Sequence, residues 1–184
     1  MISAKRSEKE LMTGTYRGPL HGIPFGLKDL FEVAGVRNTN GSKIFDEYIP
    51  SFDSTVATKL KDAGAILLGK LNMQQFAYGP NGENTDYGHM HNPWNLELIS
   101  GGSSGGSGSS TAAGECAFTM GTDTGGSVRI PSALCGIVGL KPTYGRVSLS
   151  GVTPLAWSLD HAGPMCRTVQ DCRTKLNVIS QRKP

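Results

Sequence analysis

The sequence lacks the features that mark a membrane or secreted protein. It contains 184 residues, and no apolar run in it approaches the length of a membrane span. Its first ten residues, MISAKRSEKE, are too polar to include the apolar core of a signal peptide. These two absences predict a cytosolic protein that does not bind a membrane.

The sequence also has few cysteines and a small net charge. The formal net charge is only +3, which is too small to indicate direct binding to nucleic acid. None of the four cysteines belongs to a C-x-x-C pair, so we expect reduced, buried thiols rather than disulfides or a zinc site. A hydrophobic content of 38% and a charged content of 18% are typical of a globular protein. We therefore expect a single domain over residues 1–184.

Two familiar binding motifs are present only in part. The segment GAILLGK (residues 64–70) matches a phosphate-binding loop, but Leu71 replaces the required Ser or Thr, and AILL reads as a strand. His89 and His91 have no carboxylate or third histidine at metal-ligand spacing, so we interpret them as loop residues. The sequence predicts no bound metal and no organic cofactor.

Local patterns predict a succession of helices and strands. Residues 65–70 and 116–124 read as buried strands, residues 71–79 as a brief helix and residues 80–95 as a loop. The other helices are predicted over 4–13, from the cap Ser54 to Gly64, over 108–116, over 127–136, and from the cap Thr168 onwards. This alternation is typical of an α/β protein.

The glycine- and serine-rich stretch from Gly101 to Ser132 carries the chemical signal. Paired glycines surround Ser103, Ser104 and Ser127. Glycine lets backbone N–H groups approach a ligand closely, and a hydroxyl beside such donors suits a nucleophile next to an oxyanion hole. A flexible linker would not include the strand and helix patterns found within the stretch.

Two partners for such a serine can be considered. GSSGG (residues 102–106) fits the G-x-S-x-G elbow of an α/β-hydrolase with Ser104 as nucleophile. This alternative is weak, because the only later histidine, His161, directly follows Asp160, and adjacent residues cannot easily form the Ser–His–Asp relay. Lys28 lies in the apolar segment GIPFGLKDL, where burial would favour a neutral amine that can act as a general base. An ion pair between Lys28 and Asp29 is the alternative explanation for this lysine.

The sequence resembles the amidase signature family. The matching blocks follow the family's order over residues 17–172, and they include GPLHGIPFGLKDLFEVAGV, GAILLGKLNMQQFAYG, GGSSGGSGSSTAAG, GTDTGGSVRIPSALCGIVGLKPTYGRVS and SLDHAGPMCRTVQD. The resemblance implies an α/β fold in which a mixed β-sheet is sandwiched between helices. Because family members are longer, we expect this fold to be incomplete at both ends.

The same resemblance implies a Ser–Ser–Lys triad. Ser127 would be the nucleophile, Ser103 the bridging serine after a cis peptide bond, and Lys28 the general base. The implied oxyanion hole consists of the backbone N–H groups of Thr124, Gly125, Gly126 and Ser127, with supporting roles for Ser104, Asp123 and Arg129.

This triad would hydrolyse a small-molecule amide through an acyl-enzyme. We favour a general amidase, since Ile130 follows Arg129 where the amidotransferase branch of the family commonly has Gln. The alternative is the glutaminase component of a tRNA-dependent amidotransferase, which would require a partner subunit. A homodimer is the alternative to such a partner subunit. A further alternative for the function is that the chain is a truncated, inactive remnant.

Overall fold

A computed structural model of the chain, which describes residues 2–181, has a five-stranded mixed sheet and a separate two-stranded hairpin. The strands are β1 (Pro24–Lys28), β2 (Ile66–Leu71), β3 (His91–Asn92), β4 (Asn95–Ile99), β5 (Phe118–Asp123), β6 (Val138–Gly139) and β7 (His161–Cys166). The sheet order is β2-β1-β5-β7-β6. Strand β1 runs parallel to both of its neighbours, and β7 runs antiparallel to β5 and β6.

Five α-helices accompany the strands among residues 2–181: α1 (Ile2–Met12), α2 (Thr55–Asp62), α3 (Gly105–Ala113), α4 (Arg129–Leu134) and α5 (Val169–Ile179). The predicted caps of α2 and α5 are confirmed. The Ser54 hydroxyl accepts a hydrogen bond from the N–H of Ala57 at 3.3 Å, and the Thr168 hydroxyl accepts one from Asp171 at 3.1 Å. These bonds satisfy N–H groups that a helix start leaves without an intrahelical partner.

Alternate residues of β5 face different helices. The Thr119 hydroxyl donates to the carbonyl of Ser107 in α3 at 3.0 Å. Its neighbour Phe118 points to the opposite face, where Lys175 of α5 lies 5.2 Å from the ring centroid. Because successive strand residues point to opposite faces, the sheet lies between helices, and the predicted fold class is confirmed.

Phe118 also anchors the core. Its ring stacks on that of Phe25 from β1, with the centroids 5.5 Å apart, and both side chains are fully buried. The cysteines are also buried, and all four are free thiols, as predicted. No helix among residues 2–181 is long and apolar enough to span a membrane.

Several local predictions were wrong. The predicted loop over residues 80–95 contains β3 and the start of the hairpin, and strand β7 had no clear signal in the sequence. The brief helix predicted over 71–79 is a single 3-10 turn, Gln75–Ala77. Phe76 and Ala77 have φ values of 51° and 60°, and this left-handed conformation interrupts any helix. Helix α3 starts at Gly105 and ends before Gly114, whose φ is 79°.

The topology brings the predicted functional segments together. Since β1 and β5 are adjacent and parallel, their carboxyl ends, at Lys28 and Asp123, lie at the same edge of the sheet. Ser103 and Ser104 lie just before α3, which packs on β1 and β5. The sheet thereby positions segments that are about 75 to 100 residues apart in sequence.

Candidate active site

The Lys28 side chain lies at the centre of a buried polar cluster. Its Nζ is 2.7 Å from the Ser103 hydroxyl oxygen and 2.9 Å from the Thr122 hydroxyl oxygen. Lys28 and Ser103 have no exposed surface, and Thr122 has 4%. The peptide bond between Gly102 and Ser103 is cis. A lysine and a serine that are 75 residues apart are therefore in direct contact.

Burial changes the proton affinity of this lysine. It lowers the pKa of Lys28 from 10.5 to about 7, although the negative charges of Asp123 and Asp160 act in the opposite direction. Neither carboxylate forms a hydrogen bond to the amine, whose two partners are neutral hydroxyls. Since low polarity disfavours the cation, a large fraction of Lys28 is neutral near pH 7. The predicted alternative, an ion pair with Asp29, does not form, because Asp29 instead contacts Lys70.

Asp123 organises the loop after β5. Its carboxylate accepts hydrogen bonds from the N–H groups of Gly126 at 2.9 Å and Val128 at 3.1 Å. The Arg129 guanidinium forms two further bonds to it, of 2.9 and 3.0 Å. Burial alone would raise the pKa of Asp123, but the bonds from Arg129 and the backbone outweigh burial and lower it. A charged Asp123 therefore fixes residues 124–129 in one conformation.

These bonds engage one of the four backbone N–H groups of the predicted oxyanion hole. The N–H of Gly126 is used by Asp123, so it is not free to bind an oxyanion. By contrast, the N–H groups of Gly125 and Ser127 donate to no other group within residues 2–181. Thr124 is held through its side chain, whose hydroxyl donates to Asp160 at 2.5 Å. Three of the four predicted N–H groups, those of Thr124, Gly125 and Ser127, therefore have no acceptor among the described residues.

Ser104 connects the segment around Ser103 with the segment around Ser127. Its N–H donates to the carbonyl of Ser127 at 3.3 Å. Its hydroxyl donates to the carbonyl of Thr122 at 3.2 Å and accepts from the N–H of the same residue at 3.3 Å. The Ser127 backbone is thus held next to Ser104, whereas the Ser127 hydroxyl forms no hydrogen bond to Ser103 or to any other group among the described residues.

The α/β-hydrolase alternative does not match this geometry. The Nδ1 atom of His161 lies 3.2 Å from the carbonyl of Asp123, and its Nε2 atom lies 3.2 Å from Nζ of Lys141. The Asp160 carboxylate accepts bonds from other groups, and the Ser104 hydroxyl donates its proton to the carbonyl of Thr122. No Ser–His–Asp relay therefore exists within the described part of the chain.

Two residues of this cluster were not predicted from the sequence. Thr122 supplies the second partner of Lys28, and Asp160 holds Thr124. Thr122 lies near the end of β5, next to the end of β1 that carries Lys28, but strand pairing is not visible in one sequence. As for metals, no group of three potential ligands occurs within residues 2–181.

The fold and the site define a class: an α/β protein with a buried serine–lysine cluster beside a glycine-rich loop that ends in a second serine. A family model described as Amidase matches residues 1–184. The chain therefore belongs to the amidase family, as its sequence motifs predicted.

Individual relatives agree with this assignment. The A subunit of glutamyl-tRNA(Gln) amidotransferase from Roseiflexus sp. (strain RS-1) is 55% identical over 166 residues, covering 90% of this chain and 34% of that protein. The peptide amidase of Stenotrophomonas maltophilia has a TM-score of 0.94 at 39% identity, covering 98% of this chain and 38% of its own. The Thermotoga maritima counterpart of the Roseiflexus protein has a TM-score of 0.86 at 45% identity, covering 89% and 36%. The chain thus spans between a third and two fifths of the length of these relatives.

Proposed function

We propose that this chain carries the reaction centre of an amide hydrolase, with Ser127 as nucleophile, Ser103 as proton relay and Lys28 as base. The observation that carries the proposal is the 2.7 Å contact between Lys28 Nζ and the Ser103 hydroxyl in a fully buried site. A lysine whose pKa is lowered to about 7 can accept a proton near neutral pH, which an ordinary lysine cannot do efficiently.

The first half of the reaction transfers the acyl group to the enzyme. The neutral amine of Lys28 takes the proton of Ser103 while Ser103 takes that of Ser127. The Ser127 oxygen attacks the amide carbonyl carbon, and a tetrahedral oxyanion forms. As the C–N bond breaks, the proton returns along the same relay to the leaving nitrogen. The products are an ester on Ser127 and free ammonia or an amine.

The second half repeats the relay with water. Lys28, acting through Ser103, accepts a proton from water as the water oxygen attacks the ester carbon. The ester C–O bond then breaks, the proton passes to Ser127, and the carboxylic acid leaves. In both halves the free N–H groups of Gly125 and Ser127 stabilise the oxyanion. Losing one such donor costs about 3 kcal/mol in comparable enzymes.

Labelling with a fluorophosphonate tests this assignment without requiring a known substrate. We expect the probe to modify Ser127, as located by mass spectrometry of the labelled peptide, and the Ser127→Ala and Lys28→Ala variants to remain unlabelled. Ser109→Ala, in the same stretch but bonded to the carbonyl of His91, is the matched control and should label normally. Modification of Ser104 instead of Ser127 would refute the assignment.

A second candidate function is the ammonia-releasing component of an amidotransferase. The observation that favours it is the identity of 48–55% to eight curated proteins, each named as the A subunit of glutamyl-tRNA(Gln) amidotransferase. In that case glutamine would supply the amide, and a partner subunit would receive the ammonia.

Substrate competition separates the two functions. Glutamine and a C-terminal peptide amide can each be offered as competitors of the labelling of Ser127. Protection by glutamine alone supports the amidotransferase role, and protection by the peptide amide alone supports the general amidase. The isosteric acid, glutamate, serves as the control for binding that does not depend on the amide group.

A further inference from the structure

Asp160 holds two segments beside the proposed reaction centre. It is 6% exposed and directly precedes β7. One carboxylate oxygen accepts the Thr124 hydroxyl at 2.5 Å, and the other accepts the N–H of Leu155 at 2.9 Å. Both oxygens lie 3.1 Å from the N–H of Ala156. A single buried carboxylate thus connects the start of the glycine loop to the turn over residues 155–160.

The bond to Thr124 matters because this residue opens the glycine loop. Gly125 directly follows it in the chain and Ser127 comes two residues later, and the N–H groups of both are free of other acceptors among the described residues. Asp123 secures the far side of this loop through Gly126 and Val128. On the near side, the Thr124 side chain is bonded only to Asp160 among the described residues. Since glycine adds no side-chain contact of its own, these two carboxylates supply side-chain bonds that hold the loop in addition to the backbone bonds at Gly126 and Ser127.

Asp160 has no room to contact a substrate. The cavity beside it measures about 10 Å³, which is the space of roughly one water molecule. Thr122, Thr124 and Thr153 are among the residues that line this cavity. The influence of Asp160 on a reaction must therefore pass through Thr124 and through its charge.

We propose that Asp160 is a positioning residue that fixes the glycine loop (residues 124–129) through Thr124 and supplies a negative charge that acts on Lys28. This inference rests on the proposed function, because it assigns Asp160 to the same reaction centre. The two effects can be separated, since Thr124→Val removes the hydroxyl and keeps the charge, whereas Asp160→Asn removes the charge.

The direction of the pH effect distinguishes this role from a general structural one. Asp123 and Asp160 are the charged groups that raise the pKa of Lys28 against the effect of burial, and Arg129 is paired with Asp123. Removal of the Asp160 charge should therefore lower the pKa of Lys28. A loosened structure would admit water and raise that pKa towards 10.5.

The experiment measures the rate of fluorophosphonate labelling of Ser127 against pH. For Asp160→Asn we expect labelling slower by about 10- to 100-fold, as for other small displacements of catalytic groups, with the acidic limb shifted to lower pH. Thr124→Val should slow labelling without shifting the acidic limb of the plot of rate against pH, and Thr124→Ser should restore the rate. Asp62→Asn, at an exposed carboxylate on α2, is the matched control.

The outcomes separate the two proposals. Absence of labelling at Ser127 in the unmodified protein would refute the proposed function itself. Normal labelling of the unmodified protein, with unchanged rate and pH dependence in Asp160→Asn and Thr124→Val, would overturn the role of Asp160 alone. A shift of the acidic limb to higher pH in Asp160→Asn would also overturn it. If Asp160→Asn does not fold, the Thr124 pair still decides the matter: equal rates in Thr124→Val and the unmodified protein refute the positioning role.

Discussion

Two lysines on neighbouring strands, the fully buried Lys28 and the partly buried Lys70, have opposite surroundings. In the pairing of β1 with β2, Lys28 lies opposite Leu71, and Lys70 lies opposite Leu27. Nζ of Lys70 is 2.9 Å from the Asp29 carboxylate and also bonds to the amide oxygen of Asn38. Nζ of Lys28 contacts only the hydroxyls of Ser103 and Thr122 among the described residues.

The comparison shows what decides the chemistry of a buried amine. Burial lowers the pKa of both lysines, but in Lys70 the attraction of the contacting carboxylate of Asp29 opposes it directly. Asp123 and Asp160 act on Lys28 only through the electrostatic effect of their charges, since neither carboxylate forms a hydrogen bond to the amine. Lys70 therefore lies in an ion pair with Asp29, whereas Lys28, the base of the proposed function, contacts no carboxylate.

Removing each amine should have very different effects on reactivity. We expect Lys28→Met to slow the labelling of Ser127 by about 10³- to 10⁴-fold, because a base and its relay partner act as a unit. We expect Lys70→Met to slow it less than about tenfold, because its amine lies outside the relay. Comparable losses in the two variants would remove the distinction between the lysines.

The stability of the unmodified protein and that of Lys28→Met should depend differently on pH. The unfolded chain binds a proton at Lys28 below pH 10.5, whereas the folded chain binds one only below about 7, so this residue makes the unfolding free energy rise with pH between those values. Over that window the shift is equivalent to about 5 kcal/mol. Urea unfolding should show a rise for the unmodified protein that Lys28→Met lacks. An identical slope in both would contradict the lowered pKa.

Breaking the ion pair of the other lysine should destabilise the fold. Asp29→Asn removes the carboxylate that compensates Lys70 and also weakens the bonds from the Thr39 N–H and hydroxyl. We expect a loss of about 3 kcal/mol, since the change leaves one partner of a buried pair without its counter-charge. Urea unfolding at pH 7 measures it, and the surface pair Arg37–Asp46 provides the control, where Asp46→Asn should cost less than about 1 kcal/mol.

The smallest effect is expected at the second hydroxyl partner of Lys28. Thr122→Val keeps the shape of the side chain and removes the acceptor 2.9 Å from Nζ. We expect labelling to slow by about tenfold, which corresponds to one hydrogen bond, and Thr122→Ser to restore it. Equal rates for the Val and Ser variants would show that Ser103 alone positions the amine.

Much of the candidate site could be predicted because its residues lie in contiguous motifs. Lys28 lies in an apolar segment, and the serines lie among paired glycines, so their chemistry is visible locally. The contact between Lys28 and Ser103 required the resemblance to a family, since strand pairing joins residues 75 positions apart. The side-chain bond of Thr124 to Asp160 left no local pattern, and it was missed.

The same distinction applies to the fold. The caps Ser54 and Thr168 act on their own helices, so the sequence alone indicates where α2 and α5 begin. Strand β7 depends on pairing with β5 and β6, and the turn at Phe76 and Ala77 has a left-handed backbone that nothing in the residue types indicates. The elements that were missed are those that leave no local pattern in the sequence.

The most direct test of the proposed base is the titration of Lys28 itself. The chain can be labelled with ¹³C at the lysine ε-carbons. Lys28→Arg and Lys70→Arg variants would then assign the resonances of these two lysines. We predict a midpoint near pH 7 for Lys28, and a midpoint for Lys70 that is lowered from its ordinary value by burial. A midpoint for Lys28 near its ordinary value of 10.5 would contradict the claim that this lysine is the base.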